Sequence, residues 1–203
     1  GSEMCIRDRY NSEETWLPLI IPLILWTGCF VYCQVSKSPE RPNFHKWEAL
    51  HNTYNYGVIL IAIISIYFDD DSILSERVSI FYTISYFMVD SMDCFLRRDW
   101  QYSVHGLLTL GGALMNYTIS PLRELRMNSR ANLCELSSPV FFVAKKTRKP
   151  LHFVLFALTF TFCRILWIPR MLHRMLIHGV AWTSAPVILL ILLLLLPSYS
   201  MGT

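Results

Sequence analysis

The sequence predicts an all-α fold, a polytopic transmembrane helical bundle of six to seven helices. Of the 203 residues, 53% are hydrophobic and only 16% are charged, and the apolar residues occur in blocks rather than at amphipathic spacing. Soluble proteins carry about 25% charged residues, whereas a bilayer span needs about 20 mostly apolar ones. The composition therefore excludes an ordinary soluble domain.

Charge and cysteine content exclude two further classes. A formal net charge of only +3 gives little support to nucleic-acid binding, so no nucleic-acid partner is expected. The six cysteines show neither metal-ligand spacing nor a disulfide framework, so no metal site is expected.

Seven apolar segments are the candidate spans. They are Trp16–Val35, Tyr54–Phe68, Val78–Leu96, Tyr102–Ile119, Ala131–Ala144, Phe153–Ile168 and Val180–Pro197. The second reaches spanning length if residues 50–53 join it. The fifth is short and begins among polar residues, so a tilted or re-entrant segment, and hence six spans, remains open. No cleavable signal peptide is evident.

The connections between these segments are short, including Pro121–Arg130 and Pro169–Gly179. Any functional site must therefore lie between helices within the bilayer. The basic cluster Lys145–Lys149 favours a cytosolic C-terminus and, with seven spans, a cytosolic position for Ser36–Glu48 and Arg97–Asp99. We interpret the cluster as a topological signal that contacts anionic headgroups rather than as a specific site.

Five ionisable residues lie inside the predicted spans, and they are Asp90, Asp93, His105, Glu135 and Arg164. Because a charge at the centre of a bilayer helix costs roughly 2.5–3.5 kcal/mol, such residues tend to face a shared interior and to be functional. His105 can transfer a proton, or can simply be a hydrogen-bonded core residue.

The acidic residues and Arg164 each allow two interpretations. Asp90 and Asp93 share a helix face and could form a functional pair, or could be neutralised by Arg164 and by Arg97 near the end of the span. Glu135 forms a polar face with a serine three residues later, or caps a helix end. Arg164 stays charged and needs an acidic partner, Asp90 or Glu135, or a lipid phosphate.

Four stretches resemble the TLC-domain family of multi-pass membrane proteins, which includes translocon-associated proteins, ceramide synthases and lipid-homeostasis proteins. Residues 86–90, YFMVD, resemble its YF-x-x-D motif, and residues 99–110, DWQYSVHGLLTL, resemble D…LHHLLTL. Residues 135–139, ELSSP, resemble E-x-S-[ST]-P, and residues 156–169 resemble F-x-x-x-F-x-x-x-R…P. More loosely, His51 falls near the histidine that often opens the domain.

The resemblance implies four regions. Residues 1–15 are a polar N-terminal tail, 16–45 a leading transmembrane helix and loop, 46–176 the TLC-like core, and 177–203 a C-terminal transmembrane helix and short tail. It also implies an endoplasmic-reticulum or related endomembrane location and membrane lipids as partners. A homo-oligomer and other endoplasmic-reticulum membrane proteins remain open as partners.

For function, the resemblance implies a protein of lipid homeostasis that binds a fatty-acyl or sphingoid lipid through Asp90, His105, Glu135, Ser137 and Arg164. The alternative is an N-acyltransferase with His105 as base and Asp90 orienting it. Acyl-CoA would be required only in that case, and no cofactor is otherwise expected. A translocation or trafficking accessory is the third possibility. Ceramide synthases use a His-His pair where this chain has His105-Gly106, which favours the non-enzymatic protein.

Overall fold

A computed structural model describes residues 16–35, 44–180 and 188, and every regular element among them is helical. The predicted N-terminal tail and almost all of the seventh apolar segment lie outside the described residues. The elements are α1 Leu17–Val35, α2 Phe44–Phe68, α3 Glu76–Leu96, α4 Trp100–Thr118, α5 Ser120–Glu124, α6 Met127–Asn132, a 3-10 helix Leu133–Leu136, α7 Ser137–Thr147, α8 Pro150–Phe160, a π-helix Thr161–Trp167 and α9 Ile168–Ile177.

Three helical stretches in the described part of the chain are long and apolar enough to cross a membrane. They are Leu17–Val35, Ala49–Phe68 and Pro150–Ile177, the last of which joins α8, the π-helix and α9. The second predicted segment does therefore extend into residues 50–53. Helices α3 and α4, with 21 and 19 residues, have spanning length but a more polar composition. The all-helical class and a membrane-crossing capacity are thus confirmed.

The long helices run antiparallel, so that their connections gather at two ends. At the hairpin end, defined by Arg97–Asp99 and Arg148–Lys149, Gln34 at the end of α1 donates to Asp93 near the end of α3, at 2.9 Å. At the α6 end, defined by Met127–Asn132, the Trp167 indole donates to the carbonyl of Arg130 at 2.7 Å. Of the connections predicted to share one side of the membrane, Arg97–Asp99 and Arg148–Lys149 are at the hairpin end, while residues 36–43 lie outside the described residues.

Two segments predicted as simple connections are helical, so those predictions are wrong. Residues 121–130 contain α5 and most of α6, and residues 169–179 contain most of α9. The reason is mutual burial, because Leu122 and Met127 pack with Met171 and Met175 in one hydrophobic cluster. Pro169 does not end the helix; it lies at the junction where the π-helix passes into α9 and the hydrogen-bond pattern of the helix changes.

A stripe of polar residues runs along the length of α3 beside its buried apolar residues. At alternating spacings of three and four residues it carries Glu76, Ser79, Thr83, Tyr86, Asp90 and Asp93, which we call the polar seam. Asn128 and Asn132 of α6 each donate to Ser79 and Thr83, at 3.0–3.4 Å. Glu76 accepts hydrogen bonds from the backbone N–H and the hydroxyl of Ser129. The short helix α6 therefore satisfies the first half of the seam.

Arg126 fixes α6 to the connection between α2 and α3. Its side chain is buried and donates to Asp69 at 2.9 Å, to Asp71 at 2.7 Å and to the hydroxyl of Ser65 at 2.8 Å. Ser65 in turn donates to Glu76 at 3.2 Å. The backbone of Arg126 is left-handed, with φ of 51°, which costs a non-glycine residue about 1–2 kcal/mol. The hydrogen bonds of its guanidinium offset that cost.

We expect Arg126→Gln to destabilise the protein by about 1–3 kcal/mol, because it removes a buried guanidinium that donates to Ser65 and to the carbonyl of Leu74 and pairs with two exposed carboxylates. Arg98 is the matched control, since it is also left-handed, with φ of 61°, but is exposed. Thermal unfolding of the detergent-purified variants should show a large decrease in melting temperature for Arg126→Gln and almost none for Arg98→Gln. Equal melting temperatures would contradict the role given to Arg126.

Candidate functional site

Five elements bring ionisable side chains to one region between the helices. His51 comes from α2, Asp90 from α3, His105 from α4, Glu135 from the 3-10 helix and Arg164 from the π-helix. Each of these residues is partly exposed in the described part of the chain. The region is therefore polar and accessible, and it involves four of the residues predicted as site residues together with His51.

His51 is held by an aromatic layer. Its Nδ1 atom is 2.9 Å from the hydroxyl of Tyr86, and its ring lies 6.1 Å from the ring of Phe142 in α7. Tyr86 is itself buried and stacks on Tyr54, with ring centroids 3.8 Å apart. Because both neighbouring rings are packed, the imidazole of His51 has a defined orientation.

Glu135 is within electrostatic range of two histidines. Its charge interacts with the imidazoles of both His51 and His105, and Arg164 also interacts with His105. The hydroxyl of Ser138 donates to Glu135 at 3.0 Å. One carboxylate thus acts electrostatically on two imidazoles and a guanidinium acts on one of them, a set of groups suited to binding hydroxyl or amide groups and to moving a proton.

The elements that carry Glu135 and Arg164 are both departures from the α-helix. Pro139 has no N–H to donate to the carbonyl of residue 135, and the helix preceding it is of the 3-10 type. The thiol of Cys134 lies 3.5 Å from the carbonyl of Cys163, and the thiol of Cys163 lies 3.5 Å from the carbonyl of Leu133. These reciprocal contacts hold the 3-10 and π-helices side by side, and π-helical turns are frequent at functional sites.

Asn55 is a member of the region that the sequence analysis missed. It lies one helical turn after His51 on the same face of α2 and is fully buried. Neither its Oδ1 nor its Nδ2 atom has a hydrogen-bond partner among the described residues, and the same holds for Oδ1 of Asn52. Leaving such a group unsatisfied costs about 1–3 kcal/mol, so Asn55 places an unpartnered buried amide on the face of α2 that carries His51. An asparagine in an apolar helix was the available signal.

The remaining predicted residues have local partners. Asp93 is buried and forms an ion pair with Arg97, as the second interpretation of that residue proposed. Ser137 is buried and donates to the carbonyl of Cys134 at 3.1 Å, so its hydroxyl is engaged within the helix. Asp90 interacts with the hydroxyl of Tyr86 and with the charge of Arg97. An acidic partner for Arg164 stays a prediction.

Gly106 lies where α4 approaches α3 most closely. A β-carbon at this position would be 2.3 Å from Oγ and 3.4 Å from Cβ of Ser91. A β-carbon therefore requires the Ser91 hydroxyl to rotate away, and the larger imidazole of a histidine would have to pack in the same buried space. The second imidazole near His105 is instead that of His51, from a different helix.

The exposed carboxylate of Asp70 lies in the connection between α2 and α3, outside the spans. Asp70 accepts a hydrogen bond from the backbone N–H of Ser72 at 2.8 Å. This bond and one from the Ser72 side chain hold the pKa of the Asp70 carboxyl below its usual value. Asp70 therefore helps to order the turn that positions Asp69 and Asp71.

Comparison with known proteins finds no matching family model, no matching curated protein and no matching solved structure. The resemblance to the TLC-domain family accordingly stays a prediction that rests on the quoted motifs.

We expect Gly106→His to destabilise the protein by about 1–3 kcal/mol through overpacking against Ser91. Gly111→His is the control on the same helix, because a β-carbon there meets nothing within 4 Å. Both variants add one imidazole to α4, so the difference in their melting temperatures measures packing alone. Equal melting temperatures would show that α3 and α4 do not need a glycine at residue 106.

Proposed function

We propose that this protein is a membrane protein of lipid homeostasis that binds a fatty-acyl or sphingoid lipid within the bilayer. The observation that carries the proposal is the group formed by His51, Asn55, His105 and Glu135, which is polar and lies between helices with apolar outer faces. A TLC-like core of six to seven spans and a location in the endoplasmic reticulum or a related endomembrane belong to the same proposal.

The polar group suits the head of such a lipid. Asn55 offers one acceptor and one donating amide, Glu135 offers a carboxylate, and the histidines can donate or accept. A lipid amide, amine or hydroxyl would satisfy the buried amide of Asn55, which has no partner among the described residues. The head would therefore gain hydrogen bonds that hydrocarbon cannot provide.

The surface beside the polar group suits the tail of the lipid. Along α8 and the π-helix, Leu155, Leu158, Phe162 and Ile165 are exposed in the described part of the chain. These side chains belong to the most apolar of the three membrane-crossing stretches. A ligand with a polar head and a long apolar tail could occupy both surfaces, whereas a soluble metabolite could use only the first.

The test is the binding of a photoactivatable sphingosine or fatty acid by the purified protein. We expect Glu135→Gln and Asn55→Leu to weaken binding about 10-fold each, because each removes about 1.5 kcal/mol of hydrogen bonding to the head. Glu124→Gln makes the same chemical change at an exposed residue and should bind as the wild type does. Unchanged binding in both site variants would refute the proposal.

A second candidate function is N-acyl transfer, and the proximity of His51 to His105 favours it. Transfer requires a base to take a proton from an amine as its nitrogen attacks the thioester carbonyl of an acyl-CoA, after which the thiolate of coenzyme A leaves and is protonated. Two imidazoles could supply both proton transfers, and Glu135 would orient them. Asp90 stays the alternative orienting residue.

The two functions are separated by lipid analysis of membranes supplied with a sphingoid base and an acyl-CoA. If the protein is a transferase, wild-type membranes form an N-acyl product, and His51→Ala and His105→Ala each lower the rate by at least about 100-fold. His178→Ala, at an exposed histidine, should retain the rate. Absence of product from wild-type membranes would exclude the transferase and leave lipid binding as the proposed function.

A further inference from the structure

We propose that the hairpin of α7 and α8 carries a separate binding site for an anionic phospholipid. The site is a groove of about 300 Å³ lined by Phe141, Lys145, Arg148 and Phe153. It differs from a diffuse basic patch because two aromatic side chains form an apolar wall beneath two of the four basic residues of the Lys145–Lys149 cluster.

The lining residues match the two parts of a phospholipid. Lys145 and Arg148, from the last turn of α7 and its cap, can donate to phosphate oxygens, for which the arginine fork is well shaped. Phe141 and Phe153, from the two helices, can contact the first methylene groups of an acyl chain. Phe141 also packs against Phe156, with ring centroids 5.0 Å apart, so the apolar wall is anchored in the hairpin.

The turn between the helices holds the basic side chains in place. Arg148 has a left-handed backbone, with φ of 54°, and its N–H donates to the carbonyl of Ala144 at 2.8 Å. Pro150 begins α8 immediately afterwards, and the Thr147 hydroxyl is hydrogen-bonded to His152. A site that is ordered before binding loses less conformational entropy when the ligand arrives.

The charge distribution selects an anionic rather than a zwitterionic lipid. Between Glu135 and the start of α8 the sequence contains four Lys or Arg residues, all in the Lys145–Lys149 cluster, and no Asp or Glu. Each basic residue near an anionic membrane surface contributes about 1 kcal/mol. The groove lies at the hairpin end, which the Lys and Arg distribution predicts to face the cytosol, where anionic lipids concentrate.

The groove is distinct from the region around His51 and Glu135. Phe142 contacts His51, whereas its neighbour Phe141 lines the groove, so α7 lies between the two. The inference therefore does not rest on the proposed function, and either can fail without the other.

The test is the thermal stabilisation of the full-length detergent-purified protein by added dioleoylphosphatidylserine, with dioleoylphosphatidylcholine as the uncharged-surface comparison. We expect phosphatidylserine to raise the melting temperature of the wild type more than phosphatidylcholine does. The double variant Lys145→Gln/Arg148→Gln should require about 10-fold more phosphatidylserine for half of the effect. Equal stabilisation of the wild type by the two lipids would overturn the proposal.

The matched control is Lys146→Gln/Lys149→Gln, which removes the same charge from the same cluster but from outside the groove. It should respond to phosphatidylserine as the wild type does. If the two double variants lost the same part of the stabilisation by phosphatidylserine, only the net charge would matter, and the proposed site would be wrong.

Two further variants complete the test. Phe141→Ala/Phe153→Ala keeps every charge and should also weaken the response to phosphatidylserine, and an unaltered response would exclude the apolar wall and overturn the proposal. The single variant Arg148→Gln changes an exposed side chain, so it tests the same loss of binding if the double variant does not fold.

Discussion

The need to pair polar groups away from water governs this structure. The polar seam of α3 extends from Glu76 to Asp93, about 26 Å at 1.5 Å per residue, which is close to the thickness of the bilayer hydrocarbon. An unsatisfied polar group costs several kcal/mol there. Helix α6 is apolar where it meets α9 and polar where it meets α3, and Arg126 anchors its beginning. The chain therefore folds a helix where a short loop would have been sufficient to connect α4 to the next long helix.

The same need to pair buried polar groups distinguishes the candidate site from the two ends of the polar seam. At the α6 end the polar seam is matched by Ser129, Asn128 and Asn132, and at the hairpin end Asp93 is matched by Gln34 and Arg97. Between these two ends lie His51, Asn55 and Glu135, where the buried amide of Asn55 lacks a partner in the described part of the chain. Ordered pairing on both sides of an unsatisfied group is what a binding site within a helical bundle requires.

Sequence reasoning predicted the features that depend on composition, and it missed those that depend on tertiary contacts. Blocks of apolar residues located α1, α2, α8 and the π-helix because bilayer spanning requires length and hydrophobicity. Helices α5 and α9 were missed because proline and basic residues suggested loops, while burial of Leu122 and Met175 against each other stabilises helices. The sequence also identified four site residues, because ionisable side chains are rare inside apolar spans. They are Asp90, His105, Glu135 and Arg164. The role of His51 required knowledge of which helix lies opposite His105.

The π-helix at residues 161–167 has a consequence for how this chain can tolerate insertions and deletions. A π-helical turn holds one residue more than an α-helical turn, so it shifts the register of everything that follows by about 100°. In the present register α9 buries Met171 and Met175, while Arg170 is exposed and Arg174 only partly buried. A regular α-helix through the same seven residues would rotate the arginines of α9 by about 100° relative to the hydrophobic cluster, whereas loss of a single residue from 161–167 would restore a regular α-helix and leave the orientation of α9 unchanged. The segment can therefore lose one residue and keep the buried face of α9, but it cannot become a regular α-helix at its present length without turning that face away.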